Sequence, residues 1–200
     1  KSHAIFVTPK NNDKTGTQSS TSNITTAAVV RTLSVDDSAT ADTTMKFVGT
    51  SFSGFSALNK FSDLFRIVVG NAVSNDSVEI TATATNENLT DISVTMAANK
   101  SGASTSPFDT SDGSTAGTSA TESGGITTSS ARTITFTGLS AGSNGFNVRL
   151  KATHDGNNNN AFAVQEKDIT ITAVVKDSGG STVVASSTMH TAKVTHQPTA

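Results

Sequence analysis

The chain has 200 residues, with 14 Lys or Arg against 16 Asp or Glu and a net charge of −2, which leaves room for one sizeable domain or two small ones. No basic cluster is present to neutralise phosphates, and no run approaches the ~18 apolar residues of a membrane span. The absence of Cys removes disulfides, thiolate metal sites and a Cys nucleophile.

Hydroxyls stand where charge is usual. There are 28 Ser and 34 Thr, while only 15% of residues are charged, a composition found in secreted and cell-surface proteins. The chain starts at Lys1; a removed signal peptide is the expected reason, and an extracellular location the expected consequence.

In chain order, Ala4-Ile5-Phe6-Val7-Thr8 reads as a short strand of about 16 Å. Pro9 ends it, since proline cannot donate to a ladder. From Pro9 to Asn23 no apolar residue occurs, so this segment reads as a tether able to extend to about 45 Å. The expected division is residues 1–22, strand and tether, and 23–200, a folded domain. A strand so placed must pair either with its own sheet or with a neighbour's.

Beyond Asn23 the apolar period is two. Val78, Ile80, Ala82 and Ala84 alternate with Glu79, Thr81, Thr83 and Thr85, the pattern of a half-buried antiparallel strand. Strands are expected at 4–8, 24–34, 44–50, 64–69, 77–86, 92–98, 132–137, 145–153, 168–176 and 182–195. Turn residues fall between them, as in "NENLTD", "GLSAGSNG", "HDGNNNN" and "KDSGGS". A helical turn is expected only in "FSGFSALNKFSDLF", where Phe55, Leu58 and Phe61 or Ser62 fit a 3–4 spacing. The fold class is therefore all-β, an antiparallel β-sandwich of jelly-roll type with an extended N-terminal strand. Residues 101–130 are rich in Ser, Thr and Gly without strand pattern, and read as an exposed loop.

Chemistry is sparse. No Gly-x-Ser-x-Gly elbow, HExxH pair or phosphate loop occurs, and His3 and His196, near the termini, read as solvated. No catalytic residue is assigned and no enzyme is expected. Four sequons place candidate glycans on Asn23, Asn75, Asn88 and Asn99. Asp36, Asp37 and Asp42, and Asp109 with Asp112, are loop carboxylates of the kind that hold calcium, the only cofactor considered. Lys46 and Lys151 are the candidates for a Lys–Asn crosslink.

Residues 58–96, "LNKFSDLFRIVVGNAVSNDSVEITATATNENLTDISVTM", resemble the TasA/camelysin-like family of biofilm-fibre proteins and archaeal bundling pilins. The matching positions are Asp63, Leu64, Phe65, Ile67 and Asn71; Val68-Val69-Gly70 lengthens the path to the turn. The resemblance implies an exported filament subunit that polymerises by donor-strand complementation, with identical subunits as partners. Ala4, Ile5, Phe6, Val7 and Thr8 would be the donor strand, Ile5 and Val7 facing one way and Phe6 the other. The alternative is a monomeric adhesin or carbohydrate-binding sandwich that uses loops 101–130 or 154–160 against cell-surface glycans. Neighbouring filaments are a further possible partner; nucleic acid and a membrane span are not expected.

Overall fold

Alternation decides the architecture. Val78, Ile80, Ala82 and Ala84 are at most 4% exposed while Ser77, Glu79, Thr81 and Thr83 lie half-buried between them. The computed structural model describes residues 2–5, 10–11, 14–15, 22–25, 28–36, 44–48, 58–85, 92–101, 107–108, 119–121, 125–127, 129–154 and 165–197. It divides into two units, Lys1–Val30 and Arg31–Ala200.

In the first unit β1 (Ser2–Ile5) pairs antiparallel with β4 (Ser22–Thr25), matching Ala4 to Asn23. Between them β2 (Lys10–Asn11) and β3 (Lys14–Thr15) form a tiny hairpin. Ladders thus form within the segment expected as strand and open tether. Phe6, Val7 and Thr8 lie outside the described residues.

The second unit is an all-β sandwich, and among the described residues it has no helix. Its elements are β5 (Thr32–Asp36), β6 (Thr44–Val48), β7 (Leu58–Phe61), β8 (Phe65–Ala72), β9 (Ser77–Ala84) and β10 (Ile92–Lys100). Then follow β11 (Ser119–Thr121), β12 (Arg132–Phe136), β13 (Gly142–His154), β14 (Gln165–Lys176) and β15 (Thr182–Gln197). One sheet has the order β11-β10-β13-β8-β5, with β7 also on β13; the other is β12-β9-β14-β15-β6. From β8 to β14 the chain changes sheet at every connection except β10 to β11, as in a jelly roll. One pair, β15 with β6, is parallel rather than antiparallel.

Phe47, Phe65, Phe136 and Phe146 fill the core with Ile67, Ile80, Ile134 and Leu150, all at most 2% exposed. Phe136 and Phe146, from opposite sheets, meet at 4.7 Å between ring centroids, a distance that favours tilted aromatic pairs.

Several expectations change. The helical turn is a strand where it is described: β7 pairs Phe61 with Lys151 and Leu58 with His154. β8 covers β13 only as far as Val148, so the far end of that long strand offers a ladder, and pairing overrides a 3–4 spacing. The expected strand 24–34 is broken between β4 and β5, with Val29 52% and Val30 73% exposed. Residues 101–130 are not merely an exposed loop. β11 pairs with β10, Pro107 is buried, and Ile126 is 0% exposed with its N–H donating to Val94 O at 2.8 Å. A lone Ile carries no periodicity, so nothing in the sequence marked it as core.

The lengthened path to Asn71 also has an explanation. Val68, Val69 and Gly70 lie within β8, and the ladder to β13 slips between Val69–Asn144 and Ala72–Gly142. Asn71, at φ 54°, is the extra residue of this bulge. The turn that follows is clamped by Asp76. Its carboxylate accepts from Arg31 Nε at 3.0 Å, Arg31 Nη2 at 3.1 Å and Val73 N–H at 2.8 Å. The Arg31 hydrogen bond is the largest cause holding the Asp76 carboxyl below its ordinary range, against the opposing effect of burial.

Candidate functional site: the open edge of β15

β15 is the longest strand, and it is covered unequally. On one side β14 pairs with it from Thr182 to His196. On the other, β6 accompanies it only from Lys193 to Gln197. Among the described residues no strand continues the sheet along Thr182–Thr191, a length of about 33 Å at ~3.3 Å per residue. Ser186 and His190 make contacts of their own; the His190 ring stacks on Phe65 at 4.3 Å.

The edge begins at a rigid hairpin. Asp177 Oδ1 accepts from Gly179 N–H and Ser181 N–H, both at 2.9 Å, and Gly180 takes φ 83°. That conformation is open to glycine at little cost. Further along, Ser187, Thr188 and Met189 oppose the single residue Thr172, so the strand bulges.

Below this edge the core is thin. Leu33 from β5, Val184 and Met189 are only partly buried, although they pack against the central cluster, and Val183 is 37% exposed. β5, the edge of the facing sheet, also lies close to β15. The stretch "TVVASSTMHT" contains no Lys, Arg, Asp, Glu, Pro or Gly. Natural sheets usually blunt exposed edges with charge, proline or bulges; here only the bulge is present. Chemically, such an edge can take an extended segment by backbone pairing, with apolar side chains seated over Leu33, Val184 and Met189.

The residues singled out from the sequence fall in different places. Ala4 and Ile5 lie on β1 and Asn23 on β4, in the first unit. Asn75 sits exposed in the β8–β9 turn at φ 69°, while Asn88 is outside the described residues. Asn99 is a correction: on β10 it is 0% exposed, leaving no room for a glycan in the folded chain. Asp37, Asp42, Asp109 and Asp112 lie outside the described residues, as does the side chain of Asp36. Among the described residues no group of three His, Asp or Glu could hold a metal ion.

Two further expectations are corrected. His196 is 2% exposed, not solvated, and its ring meets that of buried His154 edge-on at 5.3 Å. β6 and β14 flank it on both sides, which proximity to the terminus in sequence did not show. Lys46 is exposed and Lys151 lies over the Phe108 ring at 5.1 Å, so neither is a buried crosslinking lysine. The buried lysine is Lys167, 4% exposed, whose ammonium donates to Ile126 O at 3.2 Å.

No family model and no curated protein matches the chain, so the resemblance to the TasA/camelysin-like family rests on residues 58–96 alone. Among solved structures, the chain is similar to the CooA pilin subunit from enterotoxigenic Escherichia coli. The identity is 12% and the TM-score 0.33, over 84% of this chain and 99% of that one. A likeness of that degree carries no argument about function.

Proposed function

We propose that the protein is a non-enzymatic structural subunit of an extracellular filament, joined to identical subunits by strand donation. The N-terminal strand of one subunit, with Ile5, Phe6 and Val7, would lie along Thr182–Thr191 of the next and cover its Leu33, Val184 and Met189. The single observation that carries this reading is the long, charge-free edge of β15 above half-buried apolar side chains.

Two physical points support it. β1 is held to β4 by four residue pairs, whereas the edge from Thr182 to Thr191 offers a longer ladder. Each apolar side chain seated adds about 1.5–3 kcal/mol, and each ladder hydrogen bond about 0.5–1.5 kcal/mol net. Glycans on Asn23, Asn75 or Asn88 are compatible with this assembly, and calcium is not needed for the joint.

The test is Phe6→Asp. A carboxylate forced into the joint without a partner costs several kcal/mol, so filaments should vanish from micrographs while circular dichroism stays β-rich. Unfolding of the variant would assign the strand to its own domain. Normal polymers would leave residues 4–8 without a role, and the filament reading by donation would fail. A chain lacking residues 1–10 that still captures a glycan as a monomer would favour the adhesin reading.

A further inference from the structure

Peroxide chemistry has few targets on this chain. The sequence holds no Cys, Trp or Tyr and only three Met, so its sulfur is confined to Met45, Met96 and Met189. Met45 and Met96 are 1% and 0% exposed, inside the core cluster. Met189 alone is only partly buried, on the stretch of β15 along which no further strand continues the sheet among the described residues. We propose that Met189 is a reversible oxidation site, converted to its sulfoxide by hydroperoxides while the β15 edge is open and shielded once that edge is covered.

The bulge in β15 sets this position. His190 stands opposite Ile171 and Ala192 opposite Ile169, and both Ile side chains are wholly buried in the core. Strict alternation along the strand would therefore send Met189 to the other face. The bulge opposite Thr172 breaks the alternation, and Met189 packs against the core cluster, as Leu33 and Val184 do. It is neither sealed inside like the other two Met nor loose on the surface. An unbranched, flexible thioether suits so irregular a seat.

In the step itself, a sulfur lone pair attacks the outer peroxide oxygen, the O–O bond breaks and an S–O bond forms. Sulfur loses two electrons; the hydroperoxide gains them, its proton passes to the departing oxygen, and it leaves as water or an alcohol. A dithiol acting through methionine sulfoxide reductase reverses this, closing to a disulfide while the oxygen departs as water. The product is a polar acceptor where an apolar filler stood. On an open edge that oxygen is hydrated. Under a donor strand it would lie beneath the apolar side chains of Ile5, Phe6 and Val7, which offer it no hydrogen bond, so oxidation penalises the covered state more than the open one. This effect on assembly rests on the strand-donation reading; the oxidation site does not.

The experiment treats the full chain with hydrogen peroxide, follows sulfoxide at each Met by peptide mass spectrometry, and measures the protein concentration at which filaments form by sedimentation. In the soluble chain Met189 should oxidise about tenfold faster than Met45 or Met96, and in preformed filaments its rate should fall toward theirs. The oxidised chain should need about tenfold more protein to form filaments. Methionine sulfoxide reductases for both epimers, with a dithiol, should restore the original threshold. Met189→Leu will have a threshold of its own, and peroxide should leave that threshold unchanged. Equal oxidation of the three Met, undiminished oxidation of Met189 in filaments, an unaltered threshold once Met189 is oxidised, or a peroxide effect that persists in Met189→Leu would each overturn the proposal. If the untreated chain forms no filaments, the donation reading fails by itself, and the relative oxidation rates in the soluble chain still decide the site.

Discussion

Replacing Asp76 with Asn removes a charge from one of the most enclosed polar sites in the sandwich. Asp76 is 1% exposed and accepts three hydrogen bonds, two from the Arg31 fork and one from Val73 N–H. Its own backbone closes the turn: Asp76 N–H donates to Val73 O at 3.0 Å, and Leu139 N–H donates to Asp76 O at 2.9 Å. The amide preserves shape but turns an NH2 group toward a donor. Charge-assisted bonds contribute about 1.5–3 kcal/mol and breaking a buried pair costs about 3–5 kcal/mol; with Arg31 16% exposed, about 3 kcal/mol is expected for Asp76→Asn.

For a chain of this size about 2–4 °C accompanies each kcal/mol, so the melting temperature should fall by about 6–12 °C at pH 7. Acid gives an internal control. Because the folded carboxyl is held below its ordinary range, its contribution is fully present above the unfolded value near 3.9 and is lost as pH falls through the folded value. The wild-type and Asp76→Asn curves should therefore converge as pH falls below that folded value. Equal melting temperatures at pH 7, or a gap that persists in acid, would refute the clamp.

Other outcomes test other elements. A Cβ on Gly70 would collide with Thr32 Oγ1, so Gly70→Val should cost about 1–3 kcal/mol and speed hydrogen exchange along β5. Ile126→Ala should cost about 2–5 kcal/mol in urea unfolding, whereas a solvated 101–130 loop would tolerate it silently. A peptide of residues 1–12, in hundredfold excess over its dissociation constant, should stabilise a subunit lacking those residues by about 2.7 kcal/mol; an unchanged melting curve would count against donation between chains. Stability should be the same in calcium and in chelator; a drop in chelator would give Asp36, Asp37, Asp42, Asp109 or Asp112 a metal-binding role.

Strands such as Ser77–Ala84 are legible because each alternate residue is wholly buried, so the two-residue period is clean. Legibility fails where both faces of a strand are buried. Asn99 and Ala97 point away from the core, yet they are at most 1% exposed, and no alternation rule reveals that. β7 and β11 are too short to carry a period, and exist because longer neighbours offer them a ladder. The open edge of β15 was half-legible. Its lack of charge and proline could be seen in "TVVASSTMHT", but where β6 stops depends on pairing between residues about 150 apart in the chain.

The changes of sheet between successive strands have a consequence in time. β9 pairs with β12, roughly fifty residues later, and with β14, roughly ninety later: Ala82 meets Arg132 and Ile171. Much of the ladder therefore joins residues distant in sequence, and folding is expected in the slow, millisecond-to-second class. β15, which bears the open edge, is made after every other described strand, whereas the β1–β4 ribbon needs only residues up to Thr25. Under the proposed strand donation, each new chain would have its donor before its own acceptor edge, an order that would guard against self-insertion during synthesis.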